Sequence, residues 1–338
     1  MWIRELGRPV AGKLIGLAAV ICILIGGRWI AFSVQDIGSV TPSARSEGDD
    51  GLWLSHLWVD GRKNSADVTA LAARLRGTGI RDLFVHTGPF NDDGTLDASL
   101  RPDAQWFVSE IHRLLPGVRV QAWLGQEVEP VGGMDLESPG TRADIVASVR
   151  SVLPDGFDGV HFDFEPVGDA DPGYLALLDQ VRPVVHAAGA VLSVSAEQVE
   201  PVSGSRWAME VVDGHDSWWS SSYLHQVATR VDEVAVMSYD TVLWTQSAYT
   251  GFVRDETATA LAAVPPNVTL LMGAPAYHTT DLGHDSHAET VAAAMRGVRL
   301  ALPGGTPTGR AFGVALYIDY YATASDWAAY QDDWVSPR

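Results

Sequence analysis

Residues 157–166 read FDGVHFDFEP, an apolar stretch in which titratable residues occupy every second position towards its end. Because side chains alternate between the two faces of a strand, one face is apolar and the other carries His161, Asp163 and Glu165. Pro166 cannot donate to a ladder hydrogen bond and suits a strand end, so the acids lie at the carboxyl tip. Unpaired buried charge is costly, so this face must meet water, a ligand or other polar groups. Taken alone, the stretch also fits a sheet edge with one solvated face.

The pattern of this strand recurs along the chain, with helical segments in between. The predicted strands are 52–59, 80–87, 118–125, 157–165, 190–197, 231–240, 268–277 and 312–319. Helical periodicity appears at 65–77, 103–117, 141–156, 172–189 and 288–305. Repeated strand–helix units predict the α/β class and a parallel sheet closed into a (β/α)8 TIM barrel. A doubly wound open sheet is the alternative, and the lack of a GxGxxG motif after the first strand weakens it.

The N-terminal segment has a different composition from the rest. Basic residues precede an apolar stretch at 14–32, which is just long enough to span a bilayer, and acidic residues follow it. Residues 1–32 are therefore predicted to be a cytoplasmic tail and a transmembrane or signal-anchor helix, with the remainder outside the cell membrane. A cleaved signal peptide and a secreted protein are the alternative, but no clean A-x-A cleavage site is evident.

Residues 33–50 are small and polar, and they are predicted to be a flexible linker to a barrel domain at 51–338. Only residues 278–311 separate the last two predicted strands, so we expect an open cleft without an additional α+β insertion.

The net charge of −19 argues against a nucleic-acid partner, because no broad basic surface is available to the phosphate backbone. The single cysteine, Cys22, lies in the apolar N-terminal segment, so the domain has no disulfide and no thiolate metal site. We expect a monomer that uses no cofactor and no metal.

Polar and aromatic residues follow the predicted strands, and a barrel gathers such residues at one end. They are Asp60, His86, Gln126, Glu127, Glu197, Tyr239, Asp240, Tyr277 and Asp319. Tryptophans near the loops, Trp244 among them, offer flat faces on which sugar rings stack. Together these residues predict an acidic cavity flanked by aromatic side chains.

Two motifs are more specific. DGVHFDFE at 158–165 resembles the DGxDxDxE signature of glycoside hydrolase family 18, which includes chitinases and endo-N-acetylglucosaminidases, and it falls on the fourth strand as in that family. VMSYD at 236–240 resembles the family's M-x-Y-D motif on the sixth strand. The resemblance covers about residues 52–335 and implies a substrate-assisted, retaining glycosidase acting on glycans that contain N-acetylglucosamine.

The resemblance also implies roles for individual residues. Glu165 is the general acid, Asp163 orients the substrate's acetamido group, Tyr239 hydrogen-bonds the acetamido oxygen, and Asp240 holds the sugar or Tyr239. Two carboxyls this close repel, so one pKa rises, as suits a general acid. Further substrate-binding candidates are His161, Asp158, Glu197, Tyr277, Tyr317, Trp244, Glu127 and Asp60.

The chain departs from the family pattern at two positions. His161 replaces an aspartate, and we expect a charged pair between His161 and Asp163. Tyr317 stands where the family often has a tryptophan beneath the cleaved sugar, so the floor of the site is smaller or differently shaped.

Three alternatives remain open. The barrel can be a non-catalytic, lectin-like carbohydrate-binding module, or Glu165 and Glu197 can form a two-carboxylate glycosidase on neighbouring strands. The stretch HTTDLGHDSH at 278–287 can bind a divalent ion, although a solvated loop is the commoner reason for such a composition.

Overall fold

The computed structural model describes residues 27, 30–200, 218–281 and 283–337. Most of the predicted transmembrane segment, including Cys22, lies outside these residues, so the membrane anchor stays a prediction. Within the described ranges, no helix is both long enough and apolar enough to cross a bilayer.

Eight parallel strands form a closed barrel in chain order, with the last strand paired to the first. The strands are β1 Asp50–Leu54, β2 Ile80–Pro89, β3 Arg119–Glu127, β4 Gly159–Glu165, β5 Val191–Ala196, β6 Glu233–Val236, β7 Thr269–Pro275 and β8 Phe312–Tyr317. This confirms the predicted (β/α)8 barrel and excludes the open, doubly wound sheet.

A helix follows each strand. The helices are α1 Ser65–Leu75, α2 Ala104–Leu114, α3 Pro139–Val152, α4 Pro172–Ala187, α5 Ser221–Ala228, α6 Gln246–Ala263, α7 Val291–Leu300 and α8 Ala324–Tyr330. Short 3-10 turns lie at His56–Trp58, Ala98–Leu100 and Leu153–Asp155, and a π-helical turn at Gln331–Val335 follows α8.

Local sequence explains where several helices begin. Asn64 and Asp67 form a reciprocal capping box at the start of α1, and Thr323 and Asp326 form another at α8. Ser138 caps α3 by accepting from a backbone amide, and Pro139 occupies the first helical position. This proline explains why α3 begins two residues before the helical periodicity at 141–156.

The barrel interior is filled in layers. Aromatic and small side chains from several strands pack in the middle, namely Trp53, Phe84, Trp123, Ala235, Leu271, Ala315 and Ile318. At the amino-terminal end, Arg119 pairs with Asp82 at 2.6 Å and with Glu233 at 2.8 Å, so buried charge is neutralised there. The polar residues at the carboxyl-terminal end of the strands form the candidate site.

The segment predicted to be a flexible linker, residues 33–50, instead lies against the barrel. Arg254 donates to the Gln35 carbonyl at 2.8 Å, and Arg296 pairs with Asp36 at 2.6 Å. Ala44 is fully buried, and its carbonyl accepts from Arg299 at 3.0 Å. The prediction was wrong because these partners lie on α6 and α7, more than two hundred residues away, where small polar composition gives no sign of them.

Candidate active site

The carboxyl-terminal ends of β3 and β4 place three acids side by side. Glu127 pairs in register with Glu165, and Gly125 pairs with Asp163. Glu165 is exposed to the cleft, whereas Asp163, two residues earlier on the same face, is partly buried. The missing side chain at Gly125 lets the two strands approach closely, because an added Cβ there would lie only 3.0 Å from the Asp163 carbonyl oxygen. The two motif acids therefore lie one above the other in the mouth of the barrel.

Asp163 is held by an indole. The Trp123 Nε1–H donates to Asp163 Oδ2 at 2.7 Å, and Ser195 and Glu165 border the same carboxyl. Burial raises the pKa of Asp163, and the hydrogen bonds from Ser195 and Trp123 oppose that rise. The carboxyl is thus fixed in orientation by donors, with Glu165 directly next to it.

Glu165 is the most strongly perturbed acid of the site. Desolvation by the surrounding protein, followed by the charges of Asp163, Glu197 and Asp240, raises the pKa of Glu165 well above its usual value. Its side chain nevertheless remains exposed to the cleft, so a bound ligand can reach it. A carboxyl that keeps its proton near neutral pH and faces a cleft is suited to donating that proton.

His161 is fully buried beneath this pair. The Trp53 Nε1–H donates to His161 Nε2 at 3.2 Å, and Ser195 Oγ lies 3.0 Å from the same nitrogen. His161 Nδ1 lies 2.7 Å from Ser193 Oγ, and the ring stacks on Phe84 at 4.0 Å between centroids. Because Nε2 accepts from the indole, the proton of the ring is on Nδ1 and is donated to Ser193.

The expected charged pair between His161 and Asp163 is not what the structure shows. Burial lowers the pKa of His161 to about 3, so the imidazole is neutral over the ordinary pH range. The Oγ of Ser195 lies 3.0 Å from His161 Nε2 and donates its one proton to Asp163, so Ser195 stands between the two residues. Sequence could not reveal this, because the desolvating aromatic ring and the two serines come from other strands.

Three tyrosines form the floor and one wall. Tyr317 stacks on Tyr239 at 5.4 Å between centroids and meets Tyr277 edge to face at 5.8 Å. Trp53 and Trp123 pack against Tyr317 from below, at 5.7 Å and 6.0 Å. Tyr317 therefore lies at the centre of the aromatic cluster. Sequence analysis predicted that this residue forms the floor of the sugar site.

Asp240 is held by a buried ion pair behind it. Its carboxyl accepts from the Tyr277 hydroxyl and lies 3.2 Å from His284 Nδ1, and its backbone amide donates to Glu289 at 2.7 Å. Glu289 also accepts from the Thr241 amide at 2.9 Å. Despite burial, which acts in the opposite direction, hydrogen bonds to Asp240 and Glu289 raise the pKa of His284 to about 9.

The same arrangement bears on the metal alternative. Among the described residues, Asp240, His284 and Glu289 form the group of possible metal ligands, with ligand atoms within 4.8 Å of one another. The Glu289 oxygens already accept three hydrogen bonds from Asp240 and Thr241, and His284 Nδ1 lies 3.2 Å from both acids. The donor set fits a hydrogen-bonded ion pair that orients Asp240, rather than a metal centre.

Glu197, at the end of β5, is largely buried, with 7% of its surface exposed. Its Oε1 accepts from the Val167 amide at 3.1 Å, and its charge contributes to the raised pKa of Glu165. Glu197 therefore lies close to the general-acid candidate, with one oxygen engaged by the backbone.

Other predicted site residues lie outside this cluster. Asp158 lies at the amino-terminal end of β4, where it accepts from the Val120 amide at 2.7 Å and lies 2.8 Å from His112. Its prediction as a substrate ligand was wrong, since the acids of the site lie at the other end of the strand. Asp60 lies six residues beyond the end of β1 and pairs with Arg62, which lowers its pKa. Trp244 is 64% exposed in the loop after β6 and is available for stacking.

Sequence analysis missed several contributors. The predicted residues are contacted by Trp53, Trp123, Ser193, Ser195 and Glu289. They are also contacted by His284, which sequence analysis had considered only as part of a metal-binding stretch at 278–287. Alternation within LSVS on β5 places Ser193 and Ser195 on one face, and that signal was available. Glu289 carried no such signal, because it precedes α7 and reaches the site only through tertiary structure.

No family model matches the sequence, and no curated protein matches it. Several solved structures, by contrast, match the fold of the chain. The spore cortex-lytic enzyme SleL of Bacillus megaterium QM B1551 aligns with a TM-score of 0.58 at 15% identity, over 87% of this chain and 75% of that one. A chitinase from Chromobacterium violaceum ATCC 12472 aligns with a TM-score of 0.57 at 16% identity, over 85% of this chain and 100% of that one. The Group IV chitinase of Ostrinia furnacalis aligns with a TM-score of 0.53 at 16% identity, over 80% of this chain and 93% of that one. The chain thus has a chitinase-like barrel fold, as its two motifs predicted.

Proposed function

We propose that this protein is a glycosidase that hydrolyses glycans containing N-acetylglucosamine, with Glu165 as the general acid. The observation that carries the proposal is the stacked pair of acids at the mouth of the barrel. Glu165 faces the cleft with a raised pKa, and Asp163 lies beneath it, oriented by Trp123 at 2.7 Å. The likeness in fold to chitinases and to a cortex-lytic enzyme supports the same class of reaction.

The arrangement suits a substrate-assisted mechanism. Glu165 gives its proton to the glycosidic oxygen while the bond from that oxygen to the anomeric carbon breaks. The acetamido oxygen of the same sugar forms the new bond to the anomeric carbon, which yields an oxazolinium ion. Asp163 accepts from the acetamido N–H, and the Tyr239 hydroxyl donates to the acetamido oxygen. Water then attacks the anomeric carbon, the bond from that carbon to the acetamido oxygen breaks, and Glu165 takes a proton from the water, which regenerates the acetamido group and the starting state of the enzyme.

The chain's own residues stabilise this sequence of steps. Tyr317 offers its face to the sugar, and Asp240, oriented by the His284–Glu289 pair, binds a sugar hydroxyl. No carboxylate nucleophile is needed, which agrees with the carboxyl end of β7, where Pro275, Ala276 and Tyr277 stand. Glu197 fits the alternative two-carboxylate mechanism less well, because the Val167 amide engages one of its oxygens.

The test is product analysis by mass spectrometry on chitin oligomers, N-glycans and peptidoglycan, using the full chain and Glu165→Gln. We expect cleavage of at least one glycan by the wild type. The variant should lose roughly 10²–10⁴ in rate, since the amide keeps the shape and has no acidic proton. Binding without cleavage by the wild type would instead establish a lectin. A covalent glycosyl ester trapped on Glu197 would establish the two-carboxylate mechanism.

We also propose that residues 14–32 anchor the domain outside the cell, on the basis of the apolar stretch and the flanking charges. Protease added to intact cells should then digest the domain while the N-terminal tail remains protected. Recovery of the whole protein from the cytoplasm contradicts this.

A further inference from the structure

A cavity of about 370 Å³ lies at the carboxyl-terminal side of the barrel, next to the loops that follow β1 and β8. It lies between α1, α8 and the loops that follow β1 and β8, and residues of both loops line it, including Ser55 and Tyr320. Its volume is within the range of small-ligand sites. The proposed mechanism makes no use of this cavity.

Two cations line the cavity without ionic partners. The Lys63 ammonium lies over the Trp58 ring at 5.1 Å, and the Arg74 guanidinium lies over the Trp327 ring at 5.4 Å. Over the described ranges, neither Lys63 nor Arg74 forms a salt bridge. Aromatic faces hold both cations in place. Apart from the action of the Lys63 charge on Asp319, their charge is left for another group.

The rest of the wall also has donors to spare. Ser55 Oγ and Trp327 Nε1 are buried and have no hydrogen-bond partner within the described part of the chain. The wall's two acids, by contrast, already accept hydrogen bonds. Asp319 accepts from the Ser55 amide at 2.9 Å and from Trp58 Nε1 at 2.8 Å, and Asp67 accepts from the Asn64 amide at 2.9 Å. The unused hydrogen-bonding capacity of the cavity is thus mostly that of donors, which suits an anionic ligand.

The loop after β8 links the cavity to the proposed sugar site. Tyr320 follows the floor residue Tyr317 by three residues, is 53% exposed, and packs on Tyr321 at 4.4 Å between ring centroids. Asp319, between them, donates its backbone amide to the Trp53 carbonyl at 3.1 Å, which ties this loop to the barrel. A glycan lying on Tyr317 can therefore continue over Tyr320 to Lys63.

We infer that this cavity is a subsite for a carboxylate-bearing sugar, of the N-acetylmuramic type, next to the N-acetylglucosamine whose bond is cleaved. The inference rests on the proposed function and narrows its substrate to an acidic glycan of the peptidoglycan class over neutral chitin. The chain carries a net charge of −19, so an acidic glycan gains little elsewhere on the surface. Local cations are what such a substrate requires.

The experiment compares Lys63→Met/Arg74→Met with the wild type on two substrates. One is a neutral N-acetylglucosamine oligomer, and the other is a peptidoglycan glycan strand without peptides. The ratio of kcat/KM for the acidic over the neutral glycan should fall at least about tenfold in the double variant, as two charge-assisted contacts are lost. Arg76→Met is the matched control, because this exposed arginine ends α1 and does not line the cavity, and it should leave the ratio unchanged.

Binding separates this inference from the proposed function. Calorimetry with N-acetylmuramic acid and with N-acetylglucosamine uses the same variants and needs no catalysis. We expect the wild type to prefer the acidic sugar, and the double variant to lose that preference. Equal affinity of the wild type and the double variant for N-acetylmuramic acid overturns the subsite, whether or not the protein cleaves glycans. An unchanged kcat/KM ratio overturns it as well.

Discussion

The two ends of the barrel interior treat charge in opposite ways. At the amino-terminal end, Arg119 bridges Asp82 and Glu233, and Gln121 donates to the same two acids at 2.9 Å and 2.8 Å. At the carboxyl-terminal end, the charges that act most strongly on Glu165 are those of other carboxylates. Both ends bury acids, but Asp82 and Glu233 share a cation, whereas no salt bridge reaches Asp163 or Glu165 within the described part of the chain. The cation at that end, His284, pairs with Asp240 and Glu289 instead.

This difference separates stability from chemistry. At the amino-terminal end, burial and the charge of Asp82 raise the pKa of Glu233 to about 8, and Arg119 opposes that rise. The cation serves packing there, because removing it would leave an uncompensated charge. Acids that are crowded together without a cation cannot all ionise, so one keeps its proton in the neutral range. The first arrangement belongs to the scaffold, and the second is suited to general-acid catalysis.

The largest effect on activity is expected from removing Asp163 at the carboxyl-terminal end of the barrel. Asp163→Ala removes both the acceptor for the acetamido N–H and a charge that raises the pKa of Glu165. We expect kcat to fall by roughly 10²–10³ and a thiazoline analogue of N-acetylglucosamine to bind more weakly, measured by steady-state kinetics and inhibition.

Asp158→Ala is the matched control for that experiment. It removes a carboxyl from the same strand at the other end, where Asp158 accepts from the Val120 amide and lies close to His112. It should lower stability but leave kcat per folded molecule within about twofold of the wild type. Similar losses of kcat in both variants would contradict the assignment of Asp163.

Removing the cation at the amino-terminal end of the barrel should lower stability without changing activity. Arg119→Met leaves Asp82 and Glu233 buried without their cation, and we expect the free energy of unfolding at pH 7 to fall by about 3 kcal/mol. Urea denaturation followed by tryptophan fluorescence measures this, and kcat per folded molecule should be unchanged. A loss of kcat in the folded variant would mean that the two ends are coupled.

The sequence predicted the barrel and the motif acids better than it predicted their partners. Period-two alternation at 157–166 is a local signal, so the face shared by Asp163 and Glu165 could be read directly. The charge state of His161 could not, because it depends on Phe84, Trp53 and the serines of β5, which only folding brings together. Asp158 was misassigned for a related reason, since it belongs to the motif but lies at the opposite end of β4.

A smaller effect is expected at His161, which connects the two ends through Ser193 and Ser195. A neutral imidazole should give no titration near pH 6.5, because burial lowers the pKa of His161 to about 3. His161→Asn should lower kcat/KM roughly tenfold through the displaced Ser195–Asp163 contact, while the shape of the profile between pH 5 and 8 stays the same. The contrary result is an acidic limb near pH 6.5 in the wild-type pH profile that disappears in His161→Asn. It would show that His161 is charged and pairs with Asp163.

The central claim is that burial and neighbouring acids together raise the pKa of Glu165, and its direct test is a carboxyl titration. Carbon-13 NMR of protein labelled at the glutamate carboxyls, with the Glu165 resonance assigned from Glu165→Gln, reports that pKa without any need for turnover. The account predicts a Glu165 pKa well above the ordinary value of 4.5, and a clear decrease in Asp163→Asn, where the largest neighbouring charge is removed. A Glu165 that titrates near its ordinary value in the wild type, or is unmoved by Asp163→Asn, would contradict it.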